Sequence, residues 1–292
     1  MTDASQRFLF DDADVRGEVV RLDSVVAEAV AGHAYPPAIA RLLGQALAAT
    51  ALLRATIRLD GVLTLQVQGE EDAPVSLLIV HAEADGALRG TVSYRDVPDG
   101  EPGLARLCGH GRLAITIEPD EGERYQGIVG IDEAGLAATL EAYFERSEQL
   151  PTHVHLASDG ERAGGMLLQR LPASGRGGED PDAWERVGHL AATLEAAELL
   201  ERSATEILHR LFHQEAVRVF EPWALRFECR CSAERIAAIL RGLGREEVEQ
   251  VLAEQGVVEV RCEFCGALYR YDRVDVEHAL AGGAAPGSAQ YH

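Results

Sequence analysis

Leu63, Leu65 and Val67 alternate with Thr64 and Gln66, the two-residue period of a strand with one buried face. Two apolar runs, 75–80 and 88–94, flank Asp85-Gly86, a dipeptide suited to the positive backbone angles of a tight hairpin turn. Leu113, Ile115 and Ile117 repeat the alternation, and 128–131 and 166–171 predict further strands. Between them the period changes to that of helices over 24–31, 37–57 and 135–149, the last placing Leu136, Leu140 and Phe144 on one face. Strands interleaved with helices, several joined by short hairpins, predict an α+β domain of mostly antiparallel sheets with packed helices.

The stretch 173–182 is rich in small and polar residues and breaks this pattern. Beyond it, 183–220 reads as helix, with Trp184, Val187, Leu190, Leu194, Ile207, Leu208, Leu211 and Phe212 in an apolar stripe. Ser203 fits as the cap of a second helix, with Glu206 three residues on. Helices this amphipathic must lie on another surface, and a segment that buries its apolar face only while docked can be released. The third region opens near Trp223 with a short strand through Leu225 and Phe227. Ser232 then caps a helix carrying Ile236, Ile239, Leu240 and Leu243, which stops at Gly244. A second small helix spans 246–254, and 257–262 with 267–271 form a hairpin. The Gly, Ala, Pro and Ser tail, 281–292, reads as disordered. The expected organisation is an α+β core at 1–172, a helical linker at 173–222 and a small C-terminal zinc-binding domain at 223–292.

Composition narrows the function. The formal net charge of −21 argues against a nucleic-acid partner, which needs a basic stripe. All 27 basic residues are arginine, so Schiff-base and lysine general-base chemistry are excluded. The start of the chain lacks the basic and apolar regions of a signal peptide, and the apolar run 42–53 is short for a bilayer and carries Gln45. The expectation is a soluble, cytoplasmic protein, where paired cysteines serve as metal ligands or redox sensors rather than permanent bridges.

Four of the five cysteines fall into two close pairs, Cys229-Arg-Cys231 and Cys262-Glu-Phe-Cys265-Gly266, with residues 232–261 between them. Two remote pairs of soft thiolates suit one tetrahedral zinc, ahead of an iron–sulfur cluster, since nothing else suggests electron transfer. A purely architectural zinc staple is the plain alternative to a switch. Cys108 stands alone and reads as a small apolar residue. His153 and His155 alternate with Val154 and Leu156 as the outer face of a strand. His209 and His213 are four apart, but Arg210 stands where a zinc protease needs glutamate. No phosphate-binding loop, nucleophile elbow or dinucleotide fingerprint occurs, and no catalytic residue is nominated.

Energetics separate the two fates of these sulfurs. Structural zinc contributes on the order of 10–16 kcal/mol in small fingers. A disulfide within each close pair closes a loop of three or four residues, worth about 2 kcal/mol. That exchange loses stability and predicts that oxidation unfolds the region. A pairing such as Cys231 with Cys262 closes a long loop and acts in the opposite sense, so connectivity decides between them.

The cysteine spacing resembles that of the redox-regulated holdase chaperones, the thirty-three-kilodalton heat-shock protein family of bacteria. The likeness extends over nearly the whole chain. Gly44-Gln-Ala-Leu-Ala-Ala-Thr-Ala51, Glu121-Gly-Glu-Arg-Tyr-Gln-Gly127 and Tyr143-Phe-Glu-Arg-Ser-Glu-Gln-Leu-Pro151 are similar to its core signatures, and Ala163-Gly-Gly-Met-Leu-Leu168 to its strand before the linker. The resemblance implies Cys229, Cys231, Cys262 and Cys265 as ligands of one zinc in a reduced, inactive state. It implies the disulfides Cys229–Cys231 and Cys262–Cys265 on oxidation by peroxide or hypochlorous acid under unfolding conditions, with zinc release. It further implies ATP-independent binding of unfolded clients and dimerisation on activation, and no enzymatic activity. Two other readings remain beside it: a zinc ribbon with a constitutive role in translation or RNA metabolism, which the acidity opposes, and an enzyme in the α+β domain, for which no convergent nucleophile and base is present.

Overall fold

A computed structural model describes residues 3–172, 180 and 182–282, and the backbone of 288–290. The chain divides into two compact units, the larger made of 1–27 and 35–227, the smaller of 28–34 and 228–292. In chain order the larger unit carries β1 (Ala4–Phe10), β2 (Val15–Leu22), α1 (Ser24–Ala31, whose last residues count with the smaller unit), α2 (Pro37–Thr56), β3 (Gly61–Gln68), β4 (Val75–Glu83), β5 (Ala87–Tyr94), α3 (Leu104–Cys108), β6 (Arg112–Pro119), β7 (Tyr125–Gly130), α4 (Leu136–Tyr143), β8 (Thr152–Ser158) and β9 (Ala163–Arg170). Then come α5 (Ala183–Ala191), α6 (Ala196–Glu201), α7 (Ala204–Phe212), β10 (Val217–Val219), β11 (Trp223–Ala224) and β12 (Arg226–Phe227).

The larger unit is built on two sheets. One runs β10-β1-β2-β9-β8 with β11 also paired to β1; the other runs β12-β5-β4-β3-β6-β7. All pairings are antiparallel except β12 with β5. The expected α+β class, rich in antiparallel sheet, is what the chain forms. The hairpin at Asp85-Gly86 is present, with Gly86 at φ +87°. That turn also seats the segment 223–227. Arg226 reaches the Asp85 carboxylate at 2.5 Å and its carbonyl at 2.7 Å, and a Cβ on Gly86 would lie 2.5 Å from the Ala224 carbonyl oxygen.

α2 starts with Pro37 in the first turn, where a missing N–H costs nothing, and is buried almost all round. At 20 residues it exceeds the apolar run seen in sequence and is long and apolar enough to cross a membrane, yet 83% of its most apolar window is buried inside the protein. It is a core helix, packed against strands of both sheets.

Within 183–220 Ser203 caps a second helix as expected, and a further break falls ahead of it. Ala192 to Glu195 and then Arg202–Ser203 are the breaks, because Glu195 and Ser203 each form a reciprocal capping box with the glutamate three residues on. The end of this stretch, Val217–Val219, is strand β10, since the open edge of β1 offers backbone partners there. The apolar stripe does bury itself: Val187, Ala191, Ile207, Leu208, Leu211 and Phe212 share a core with Phe8, Phe10, Val15, Val19, Met166 and Leu168. His153, expected on an outer strand face, is covered there by Trp184 of α5, the two rings stacked at 4.6 Å. The helix expected over 135–149 is α4 followed by a π-helical turn at Phe144–Glu148. The small-polar break at 173–182 lies outside the described residues except for 180 and 182.

The smaller unit holds α8 (Ala233–Leu243), α9 (Arg245–Gln255), β13 (Val258–Arg261), β14 (Leu268–Tyr271), α10 (Arg273–Leu280) and β15 (Ser288–Gln290). β15 corrects the expectation of a disordered tail: β14 has a free edge opposite β13, and Ser288–Gln290 pairs along it. The rest of 283–292 lies outside the described residues. Ile236, Leu240, Val248, Leu252, Tyr269, Tyr271 and Val276 form a core of their own. Ile239 and Leu243 of the same helix are 53% and 52% exposed. The buried face of α8 is narrower than its apolar stripe, because α10 and α9 contact it along Ile236 and Leu240.

Candidate metal centre

Each cysteine pair is presented by a local structure its sequence explains. Cys229 and Cys231 follow β12, and Ser232 halts the extended chain by accepting the Arg235 N–H at 3.3 Å to cap α8. Cys262 ends β13. Its N–H donates to the Ala267 carbonyl at 2.9 Å, and the Gly266 N–H returns to the Cys262 carbonyl at 2.9 Å, closing a knuckle. That turn needs Gly266 in the left-handed region, φ +69°. The Arg261 guanidinium holds the Gly266 carbonyl at 3.0 Å.

The four Sγ atoms lie within 4.8 Å of one another. Cys229 lies 3.5 Å from Cys262 and Cys231 3.4 Å from Cys265, and the sulfurs also interact within each pair, Cys229 with Cys231 and Cys262 with Cys265. A tetrahedral tetrathiolate with bonds of about 2.3 Å needs sulfurs about 3.8 Å apart. The donor set and its spacing therefore fit one soft divalent ion, with all four cysteines half-buried and none in a disulfide.

The sulfurs are electrostatically unequal. A hydrogen bond from Cys229 pulls the Cys262 thiol down to about 4; burial opposes this, and the N–H groups of Cys265 and Phe264 support it. The same contact, with burial, raises Cys229, and burial pushes Cys265 up to about 12. The Cys229–Cys262 contact thus favours a thiolate in this pair, the form that binds metal and attacks an oxidant.

One part of this centre carried no sequence signal. Residues 28–34 belong to the smaller unit, and Gly32 packs directly on the knuckle. A Cβ on Gly32 would stand 2.2 Å from the Cys265 carbonyl oxygen, and one on Gly266 would stand 2.2 Å from the Gly32 carbonyl oxygen. Burial lowers the proton affinity of His33, opposed by a hydrogen bond that its ring donates to the Phe264 backbone carbonyl. Some 230 residues separate Gly32 from Cys262, so no local pattern could reveal the contact. Gly32→Ala is expected to weaken affinity for zinc, the metal expected from the sequence, by about tenfold, as displaced outer-shell groups commonly do. Competition with a chromophoric chelator measures this, and unchanged affinity would show that the close packing is incidental.

The other candidates stay apart from this cluster. Cys108 is fully buried and its thiol is pushed up to about 12 by desolvation, as suits a core residue. His209 and His213 stand with ring centroids 6.0 Å apart on α7. Among the described residues, neither they nor His153 and His155 join a cluster of three or more ligand-type side chains.

The comparisons with known proteins agree with this arrangement. A family model described as Hsp33 protein matches residues 3–272. The 33 kDa chaperonin of Shewanella woodyi is 46% identical over 289 residues, covering 99% of each chain. That of Shewanella frigidimarina is 44% identical over 288 residues, again with 99% of each covered. The crystal structure of a 33 kDa chaperonin, a heat shock protein 33 homolog, from Thermotoga maritima superposes with a TM-score of 0.82 at 24% identity, over 96% of this chain and 98% of that one, and shares the fold. Fold, thiol cluster and relatives together define a chaperone. The chain belongs to the Hsp33 family.

Proposed function

We propose that this protein is a redox-regulated, ATP-independent holdase of the cytoplasm, silent while reduced and active once its thiols are oxidised. The working parts are a core at 1–172, a releasable linker at 173–222 and a switch at 223–292. One observation carries the reading: two thiol pairs remote in sequence share a single cluster, so their chemistry governs whether the smaller unit holds together. Zinc held by Cys229, Cys231, Cys262 and Cys265 would supply a cross-link between residues 229–231 and 262–265.

Oxidation by peroxide removes two electrons and two protons from each pair of thiols, forming one disulfide and two waters. With Cys229–Cys231 and Cys262–Cys265 as the products, neither pair offers thiolates to a metal, and the two segments lose their link. The mutual closeness of all four sulfurs adds a condition. In the intact unit the crossed pairs, 229 with 262 and 231 with 265, are within reach as well, and joining them would lock it. Local disulfides need the unit loosened first, when short loops close at least entropic cost. Unfolding conditions together with oxidant therefore favour the local pairing, as the family resemblance implies.

With the switch opened, the chain that follows the docked linker is no longer part of a folded unit, and the linker is free to leave its sheet. Apolar faces of α5 and α7, and the strands beneath them, then serve unfolded clients, and the active form is a homodimer. Net charge of −21 keeps such a surface soluble. The test is suppression of aggregation of a heat-unfolded client. Protein oxidised by peroxide at mildly raised temperature is expected to suppress it without ATP, and reduced protein is not. Equal activity in both states would leave a constitutive chaperone.

A further inference from the structure

Two of the family-like stretches, 121–127 and 143–151, take no part in the thiol switch, yet they meet at one cavity of the larger unit. It has a volume of about 280 Å³. Leu53, Leu63, Ile115 and Ile117 form an aliphatic wall, and the rings of Tyr125, Tyr143 and Phe144 face it. The π-helical turn at Phe144–Glu148 shapes this site: it keeps Phe144 buried and brings Glu148 to the exposed rim, ending at Gln149 in the left-handed region with φ +55°. Turns of this kind are rare and concentrate at functional sites.

The polar groups are few and opposed in sign. The Glu148 carboxylate accepts hydrogen bonds from the Tyr143 hydroxyl at 3.3 Å and the Tyr125 hydroxyl at 3.5 Å. The Arg16 guanidinium donates to Gln169 Oε1 at 2.6 and 3.0 Å and to the Thr56 carbonyl at 3.1 Å, three of its five N–H groups. A carboxylate ligand would meet Glu148 and an ammonium would meet Arg16, so a net charge of either sign is disfavoured. A neutral amide complements both poles, its carbonyl accepting from Arg16 and its N–H donating to Glu148. The size selects further. A cavity of about 150 Å³ holds benzene, and drug-sized pockets begin near about 300 Å³. This one suits a single aromatic side chain with its adjoining amide. Tyr125 is 43% exposed, so the cavity reaches solvent.

We propose that this cavity is a docking site for one aromatic residue of a peptide segment, its ring among Tyr125, Tyr143 and Phe144 and its backbone amide between Arg16 and Glu148. It rests on the chaperone reading in that the segment belongs to a client protein.

The test uses the full-length reduced, zinc-loaded protein and N-acetyl-L-phenylalaninamide, with phenethylamine and 3-phenylpropanoate as the cationic and anionic ring controls. Calorimetry should give one site for the amide, and ligand-induced NMR shifts should centre on Ile117 and Tyr125. Ile117→Phe, which fills the cavity, should weaken binding by about tenfold, or about 1.4 kcal/mol. Glu148→Ala, at the exposed rim, should weaken it measurably without threatening the fold. Binding unchanged in both variants, shifts centred elsewhere, or tighter binding of either charged control would overturn the proposal. Failure here leaves the oxidant dependence of aggregation suppression standing, and failure of that dependence leaves this binding standing, so the two readings fall separately.

Discussion

Warmed, peroxide-treated protein is expected to fall from one zinc per chain to near none, with Cys229 joined to Cys231 and Cys262 to Cys265. The magnitude follows from what each bond contributes. A structural zinc is worth on the order of 10–16 kcal/mol, against about 2 kcal/mol for each short-loop disulfide before strain. Two such disulfides cannot compensate, and neither connects 229–231 with 262–265. The smaller unit has its own apolar core, but Cys231, Cys262 and Cys265 pack against that core, so the disturbance reaches it directly. Thiol counting should show four of the five cysteines consumed and one spared, because Cys108 is fully buried and its thiol is held well above the usual range. Peptide mapping, metal release and protease sensitivity of 228–282 should change together. Zinc retained in fully oxidised protein, or disulfides linking Cys229 to Cys262 and Cys231 to Cys265, would sink the switch, since that connectivity fastens the unit it is meant to open.

The thiol cluster was legible in sequence because its chemistry is written in residue type and spacing. Two thiols separated by one or two residues must point to a common region, and nothing else in an acidic, lysine-free chain competes for that role. The strands at 61–68 and 112–119 were legible for a similar reason, since each buries one face and alternates accordingly. What stayed hidden depends on partners remote in sequence. The parallel pairing of β12 with β5 takes only two residues, too few to show a period. β10 lay inside a stretch of helical composition, and only the open edge of β1 makes it a strand. Ile239 and Leu243 continue an apolar stripe that the packed helices do not reach. Gly32 shows the limit most plainly: its role is to lack a side chain beside Cys265, and one glycine among 29 carries no mark of that.

Phe212→Ala is expected to make the reduced protein suppress client aggregation without any oxidant. Phe212 is 2% exposed, and its ring packs 5.0 Å from Phe10 and 6.2 Å from Phe8, the fully buried centre of the β1 face beneath the linker. Gly17 leaves room for that arrangement, since a Cβ there would stand 2.0 Å from the Phe8 ring. Truncating a buried phenylalanine costs about 3–5 kcal/mol. Here the loss falls on short helices held mainly by one apolar face, each too short to persist undocked. α7 should therefore detach before the sheets do, leaving the metal centre intact in the other unit. Limited proteolysis should gain cleavage within 183–212 while zinc content stays at one per chain. Phe212→Leu, which keeps most of the buried volume, should remain close to the parent. A folded, zinc-loaded Phe212→Ala protein that stays silent until oxidised would mean that release of the linker is not what exposes the client surface, and that the apolar face serving clients lies elsewhere.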